Sequence, residues 1–208
     1  MADVVSWLLE KKEVEVYAFF EEIPIKVKLK LIDIDYDKQQ IVWTYDKRLE
    51  LPLTKSRELY FEYNGTVYTL VAIIHDDKEL VTTFPTVSLE PKLKRRHIRV
   101  RTTEEHPVKV IIDDKVYSAI DISERGVGIL TKDIEGLEVG KTYNIILEME
   151  GEELPAKGEV VYIKEVEKGL YRVGIRFEQL PMKVEDKIFK YIMARQKEVA
   201  KKIAMFKE

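Results

Sequence analysis

The feature that most constrains this chain is a period of two. Ile23–Ile34 reads Ile-Pro-Ile-Lys-Val-Lys-Leu-Lys-Leu-Ile-Asp-Ile, with strict apolar–charged alternation in its middle. Successive side chains of an extended backbone point to opposite faces, so the stretch predicts a half-buried strand with one wet face. Asp35–Lys38 is a polar turn and Gln40–Tyr45 answers as the partner strand. Before them, Val14, Val16 and Ala18 alternate with Glu13, Glu15 and Tyr17. Leu59–Tyr63 and Thr66–Ile74 flank Asn64-Gly65, the strongest local hairpin signal, because both turn positions must tolerate positive φ. Leu80–Phe84 is a further short strand closed by Pro85. Residues 3–12 can form one amphipathic helix, with Asp3 as N-cap and Val4, Val5, Leu8 and Leu9 on one side. So many antiparallel strands in ninety residues, without a long helix, imply a small barrel or sandwich.

The polar segment Glu90–Lys94 contains Pro91 and marks a domain boundary, dividing the chain into 1–90 and 91–208. Strand patterns resume at Val108–Ile112, with Asp113-Asp114 as a turn. Val116–Ile120 runs into a turn over Asp121–Gly126, and Val127–Leu130 leaves it. Tyr143–Met149, Glu153–Glu165 and Leu170–Phe177 follow. After Pro181 the period changes. Val184, Ile188, Ile192, Val199, Ile203 and Phe206 follow helical spacing in a stretch without Gly or Pro, predicting a helix over 183–207. At 1.5 Å per residue it is roughly 35 Å long, more than a small barrel can cover. Its far end is expected on the other domain, a second subunit or a partner.

The chain has no cysteine, which excludes disulfides, zinc–thiolate sites and thiol catalysis and fits a reducing cytosol. No apolar run approaches the length that spans a bilayer, and the first residues carry no signal-peptide pattern, so a cytoplasmic protein without membrane insertion is expected. The net charge of −3 hides an asymmetry: residues 1–90 hold 11 Lys and Arg against 17 Asp and Glu, while 91–208 hold 24 against 21. The excess is local. Lys92–Arg101, Lys-Leu-Lys-Arg-Arg-His-Ile-Arg-Val-Arg, contains six cations in ten positions. A protein that coats nucleic acid spreads such charge over a face; a concentrated stretch suits a small anion.

Arg95 and Arg99 lie four apart, on one side of an extended segment with His97 and Arg101. Guanidinium is planar, always charged, binds phosphate through paired hydrogen bonds and stacks on flat rings. About twenty residues on, Asp121-Ile122-Ser123-Glu124-Arg125-Gly126 offers a carboxylate, a short hydroxyl and a glycine. A carboxylate can accept two hydrogen bonds from the ring N–H and exocyclic amine of guanine, a donor pair adenine lacks. Gly126 permits close backbone approach. Arginines for phosphate and a carboxylate for guanine point to a guanine nucleotide. No Walker-type loop is present, so ordinary GTP binding is not expected.

These residues, Arg95-x-x-x-Arg99, then Asp121-x-Ser123-x-x-Gly126, then Gly174-Ile175-Arg176-Phe177 in a closing strand, resemble a PilZ domain over about residues 92–180. The resemblance implies a six-stranded antiparallel barrel that binds cyclic di-GMP, a bacterial second messenger. It assigns Arg95 and Arg99 to phosphates and guanine stacking, and Asp121, Ser123 and Gly126 to the guanine and its turn, with Lys94 and Arg96 beside them in the binding set. The family position before the first motif arginine bears on whether one or two ligands bind. Lys94 there leans towards an intercalated dimer, although Lys does not stack as Arg does. An N-terminal β-domain joined to such a barrel is similar to the flagellar-brake (YcgR-type) architecture, and Tyr191–Glu198 is similar to that group's C-terminal helix. The expected fold is therefore mainly β. Two small antiparallel β-barrel domains lie in tandem: a split barrel over 1–90, then a barrel over 91–180 carrying the long C-terminal helix.

The leading expectation is a receptor, monomeric or homodimeric, that changes its interdomain arrangement on binding cyclic di-GMP and restrains motility through flagellar motor proteins. A ligand-independent adaptor is the first alternative and a nucleic-acid-binding barrel the second. No nucleophile–base pair, catalytic carboxylate pair or cofactor loop argues for an enzyme. Three scattered histidines do not suggest a metal site. Trp7 and Trp43 read as packing residues.

Overall fold

The computed structural model describes residues 2–89 and 97–206. Among these, two compact units are distinct: one gathers the described residues of Met1–Arg96 and Glu198–Glu208, the other is His97–Lys197. Lys94, Arg95 and Arg96 lie outside the described residues.

The first unit begins with helix α1, Ala2–Lys11, which buries Val4, Val5 and Leu8. Six antiparallel strands follow: β1 Glu13–Phe20, β2 Ile23–Asp35, β3 Gln40–Thr44, β4 Glu58–Tyr63, β5 Thr66–His75 and β6 Glu79–Thr83. They close in the order β1-β2-β3-β6-β5-β4 and back to β1. Alternation in β1 and the first half of β2 places Val14, Val16, Val27 and Leu29 inside. The hairpin at Asn64-Gly65 forms as expected, with φ of 49° and 75°. Trp43 is fully buried, and its indole N–H donates to the equally buried Thr82 Oγ1 at 2.9 Å. Trp7 packs on Tyr63 at 4.8 Å between ring centroids. A 3-10 turn at Lys47–Leu49 running into the short helix α2, Glu50–Leu53, has no counterpart in the sequence reading. Asp46 caps it by accepting from the Arg48 backbone N–H, and Leu49, Pro52 and Leu53 are buried.

The second unit repeats the closure. A two-stranded ribbon of β7 Thr86–Val87 on β5 belongs to the first unit, and β8 Val100–Arg101 opens the second. Then come β9 Val108–Ile112, β10 Lys115–Ile122, β11 Gly126–Thr131, β12 Thr142–Met149, β13 Glu152–Glu167 and β14 Leu170–Phe177. Their order is β9-β10-β11-β14-β13-β12 and back to β9, with β8 added beside the end of β10. Val110, Ile129, Leu147, Val160 and Val173 fill the interior. Helix α3, Met182–Met205, buries Val184, Ile188, Tyr191 and Ile192, and the Tyr191 hydroxyl donates to the His106 carbonyl. Its last residues, from Glu198, belong to the first unit, where Val199 and Ile203 are buried.

One sequence expectation is corrected here. Asp121 is not the first residue of a turn but the penultimate residue of β10; the turn is confined to Ser123–Arg125. The cause is a bulge: Ala119 faces Ile129 while Asp121 faces Gly128, so Ile120 is the extra residue. A bulge re-aims the side chains beyond it.

Candidate functional site

The outer face of the second barrel carries one row of directly paired residues across four strands. Asp121 on β10 pairs with Gly128 on β11, Gly128 with Gly174 on β14, and Gly174 with Tyr162 on β13. Strands stand about 4.8 Å apart, so the row runs roughly 14 Å. Its middle carries no side chains of its own, and the side chains of its neighbours lie over it. A Cβ on Gly128 would stand 2.6 Å from Asp121 Oδ1, and one on Gly174 would stand 2.1 Å from Tyr162 Cε1. Both glycines are therefore dictated by what lies over them. A second bulge, between Val160 and Tyr162 on β13, brings Tyr162 into line with Gly174.

Arg172 on β14 spans the row. Its Nη2 donates to Asp121 Oδ2 at 2.6 Å, and its Nε donates to the Tyr162 hydroxyl oxygen at 2.7 Å. Asp121 is only 5% exposed, so its charge is sheltered and paired. Burial pulls the Arg172 guanidinium pKa down, and the hydrogen bonds to Asp121 and Tyr162 more than offset it, leaving it raised. The guanidinium is cationic at any working pH.

The Ser123–Gly126 turn forms the next wall. The Ser123 N–H donates to the Gly126 carbonyl at 2.8 Å, and Ser123 Oγ accepts from the Arg125 N–H at 3.2 Å. Ser123 is 7% exposed. A Cβ on Gly126 would meet the Ile175 carbonyl oxygen at 2.4 Å, which requires glycine there. From the basic stretch, His97 reaches the same turn. Arg125 Nε donates to His97 Nε2 at 3.1 Å, while His97 Nδ1 lies 3.3 Å from Glu124 Oε2. β8 holds the end of the stretch: Val100 pairs with Ile122 and Arg101 with Asp121, and just beyond it Thr102 Oγ1 donates to the Ala119 carbonyl.

These pieces surround a cavity of about 240 Å³ lined by Arg99, Asp121, Ser123, Gly126, Tyr162 and Arg172, with Arg125 and Arg176 also at its wall. Four of the seven residues singled out in the sequence, Arg99, Asp121, Ser123 and Gly126, thus meet at one hollow. Lys94, Arg95 and Arg96 fall outside the described residues. Tyr162, Arg172 and Gly128 were missed as site residues. Their signal was present: alternate positions of Leu170–Phe177 read Arg172, Gly174, Arg176, and Gly126 and Gly128 alternate on β11. Glycines on the outer face of two adjacent strands mark a surface where something must approach closely. Among the described residues no cluster of side chains is placed to hold a metal ion, and no helix is long and apolar enough to cross a membrane.

Residues 93–194 match the PilZ domain family. The chain belongs to that family. An uncharacterized protein of Aquifex aeolicus (strain VF5) is 36% identical over 110 residues, which is 53% of this chain and 53% of its own. The chain thus spans about half the length of that relative. A second uncharacterized protein of the same organism is 30% identical over 220 residues, covering 96% of this chain and 94% of its own. Among solved structures, the complex of K. pneumonia MrkH with c-di-GMP shares the fold, with a TM-score of 0.51 at 16% identity over 96% of this chain and 94% of that one. PilZ domains are effector modules rather than enzymes.

Proposed function

We propose that this PilZ protein is a cytoplasmic receptor for cyclic di-GMP, held at the hollow between Arg99 and the Asp121–Gly128–Gly174–Tyr162 row. The observation that carries the reading is that row. A buried carboxylate at the wall of the hollow offers acceptor oxygens to one purine edge, while Arg99, Arg125 and Arg176 supply positive charge for phosphates. MrkH, solved with c-di-GMP bound, is similar in fold. Arg95 joins Arg99 on the ligand from the segment between the two barrels, with Lys94 and Arg96 beside it. That segment is the chain's path from one barrel to the other, so a ligand seated on it biases their arrangement, by as much as its affinity differs between arrangements. The tandem-barrel resemblance to the flagellar brake makes restrained motility, through a motor protein, the output. Isothermal titration of the full chain with cyclic di-GMP tests the ligand. Saturable binding that is abolished or weakened about a hundredfold in Arg95→Ala/Arg99→Ala is expected, as for loss of two charge-assisted contacts. Undiminished binding in the double variant removes those residues from the mechanism. Steeply salt-dependent oligonucleotide binding without cyclic di-GMP binding returns the nucleic-acid alternative.

A further inference from the structure

We propose that Arg172, braced by Tyr162, is a positioning residue that holds the Asp121 carboxylate in the orientation that reads guanine, and so sets the base selectivity of the site. The inference rests on the cyclic di-GMP reading above. Asp121 is 5% exposed and has one carboxylate oxygen, Oδ2, bonded to Arg172 Nη2 at 2.6 Å. Arg172 is itself fixed at a second point, by Nε on the Tyr162 hydroxyl at 2.7 Å. Tyr162 is fixed in turn because its ring lies against Gly174, where no Cβ would fit. The chain of contacts runs from Gly174 through ring and guanidinium to the carboxylate.

Each carboxylate oxygen accepts more than one hydrogen bond, so Arg172 need not leave for a ligand to bind. Guanidinium instead fixes the plane of the carboxylate, because its own fork is planar and anchored. Oδ1 stays at the edge of the hollow, where it would clash with a side chain on Gly128. A guanine edge presents a ring N–H and an amine N–H side by side, and both need the carboxylate in one plane. Selectivity therefore depends on a residue that touches the carboxylate and not the base. Of the other charged groups lining the cavity, Arg99, Arg125 and Arg176, the last is paired with Glu159 and Arg125 is bonded to His97. Among the described residues Arg172 is the cation bonded to Asp121.

The test compares two ligands on the full chain. Cyclic di-IMP keeps the ring N–H of guanine but lacks the exocyclic amine. The wild type should bind cyclic di-GMP more tightly than cyclic di-IMP by about tenfold or more, the worth of a hydrogen bond to a charged acceptor. In Arg172→Met that ratio should fall to about one while binding of cyclic di-IMP weakens less. Tyr162→Phe, which keeps the ring over Gly174 and removes only the brace, should lower the ratio in the same direction and by less, and serves if Arg172→Met does not fold. A mere structural role would weaken both ligands equally, and an unchanged ratio in both variants overturns the proposal. Tighter cyclic di-GMP binding in Arg172→Met also overturns it, because Arg172 would then be a competitor of the base. Failure of the ligand reading is distinct: the wild-type chain itself would bind neither ligand.

Discussion

Gly128→Ala places one methyl group in the site without altering any charge. The new Cβ would stand 2.6 Å from Asp121 Oδ1 and 2.9 Å from Arg172 Nη2. A carbon and an oxygen in ordinary contact are roughly 3.3 Å apart, so Asp121 must give way by about 0.7 Å. The backbone cannot relieve it, because Gly128 is paired with Asp121 on one side and Gly174 on the other. Relief has to come from the two side chains that bond each other at 2.6 Å. Overpacking of this kind costs about 1–3 kcal/mol. A barrel of some hundred residues melts about 4–8 °C lower for each kcal/mol lost. Urea unfolding should show a lower midpoint with an unchanged slope, since the surface exposed on unfolding is the same. Titration with cyclic di-GMP should show affinity lower by about tenfold or more, because the carboxylate no longer lies in its plane. Unchanged midpoint and unchanged affinity would refute the packing argument. A lower midpoint with full affinity would refute the role given to the carboxylate.

Thr82→Val in the first barrel leaves the buried Trp43 N–H without its 2.9 Å acceptor and should cost about 1–3 kcal/mol by urea unfolding; a loss below about 0.5 kcal/mol would show that the bond contributes little. Acid should weaken the protein by a definite route. Hydrogen bonds hold three aspartate carboxyls below their ordinary value: the Arg48 side chain on Asp46, and backbone N–H groups first of all on Asp76 and Asp133. A folded pKa below the unfolded one stabilises above the unfolded value and is lost as pH falls through the folded one. The urea midpoint should therefore decline below pH 3.8, the ordinary value, and Asp46→Asn should make the decline shallower. A midpoint level down to about pH 2 would contradict this.

What could be read from the sequence is what is local. Asn64-Gly65 needs only its own φ preference to make a hairpin, and the alternation of Ile25–Leu31 needs only a pleated backbone. The motif spacing of Asp121, Ser123 and Gly126 is likewise local, and these residues do share a wall of one cavity with Arg99. Asp121 was assigned to a turn because an Asp-x-Ser run reads as one; the bulge at Ile120 extends the strand through it instead. Arg172 was missed because its partner is 51 positions away. That contact depends on two bulges and on the register of four strands, none of which has a signature within a window of neighbours. The turn and short helix over Lys47–Leu53 were missed because Pro52 lies inside them, yet Pro52 sits early in the helix, where its lack of an N–H costs little.

The most direct measurement is the change in backbone amide NMR shifts of the full chain on adding cyclic di-GMP. The account predicts that the largest changes fall on Arg99, Asp121, Ser123, Gly126, Gly128 and Gly174, with the side-chain N–H signal of Arg172 moving alongside them. Saturable binding with the largest changes elsewhere, and these amides still, would contradict it.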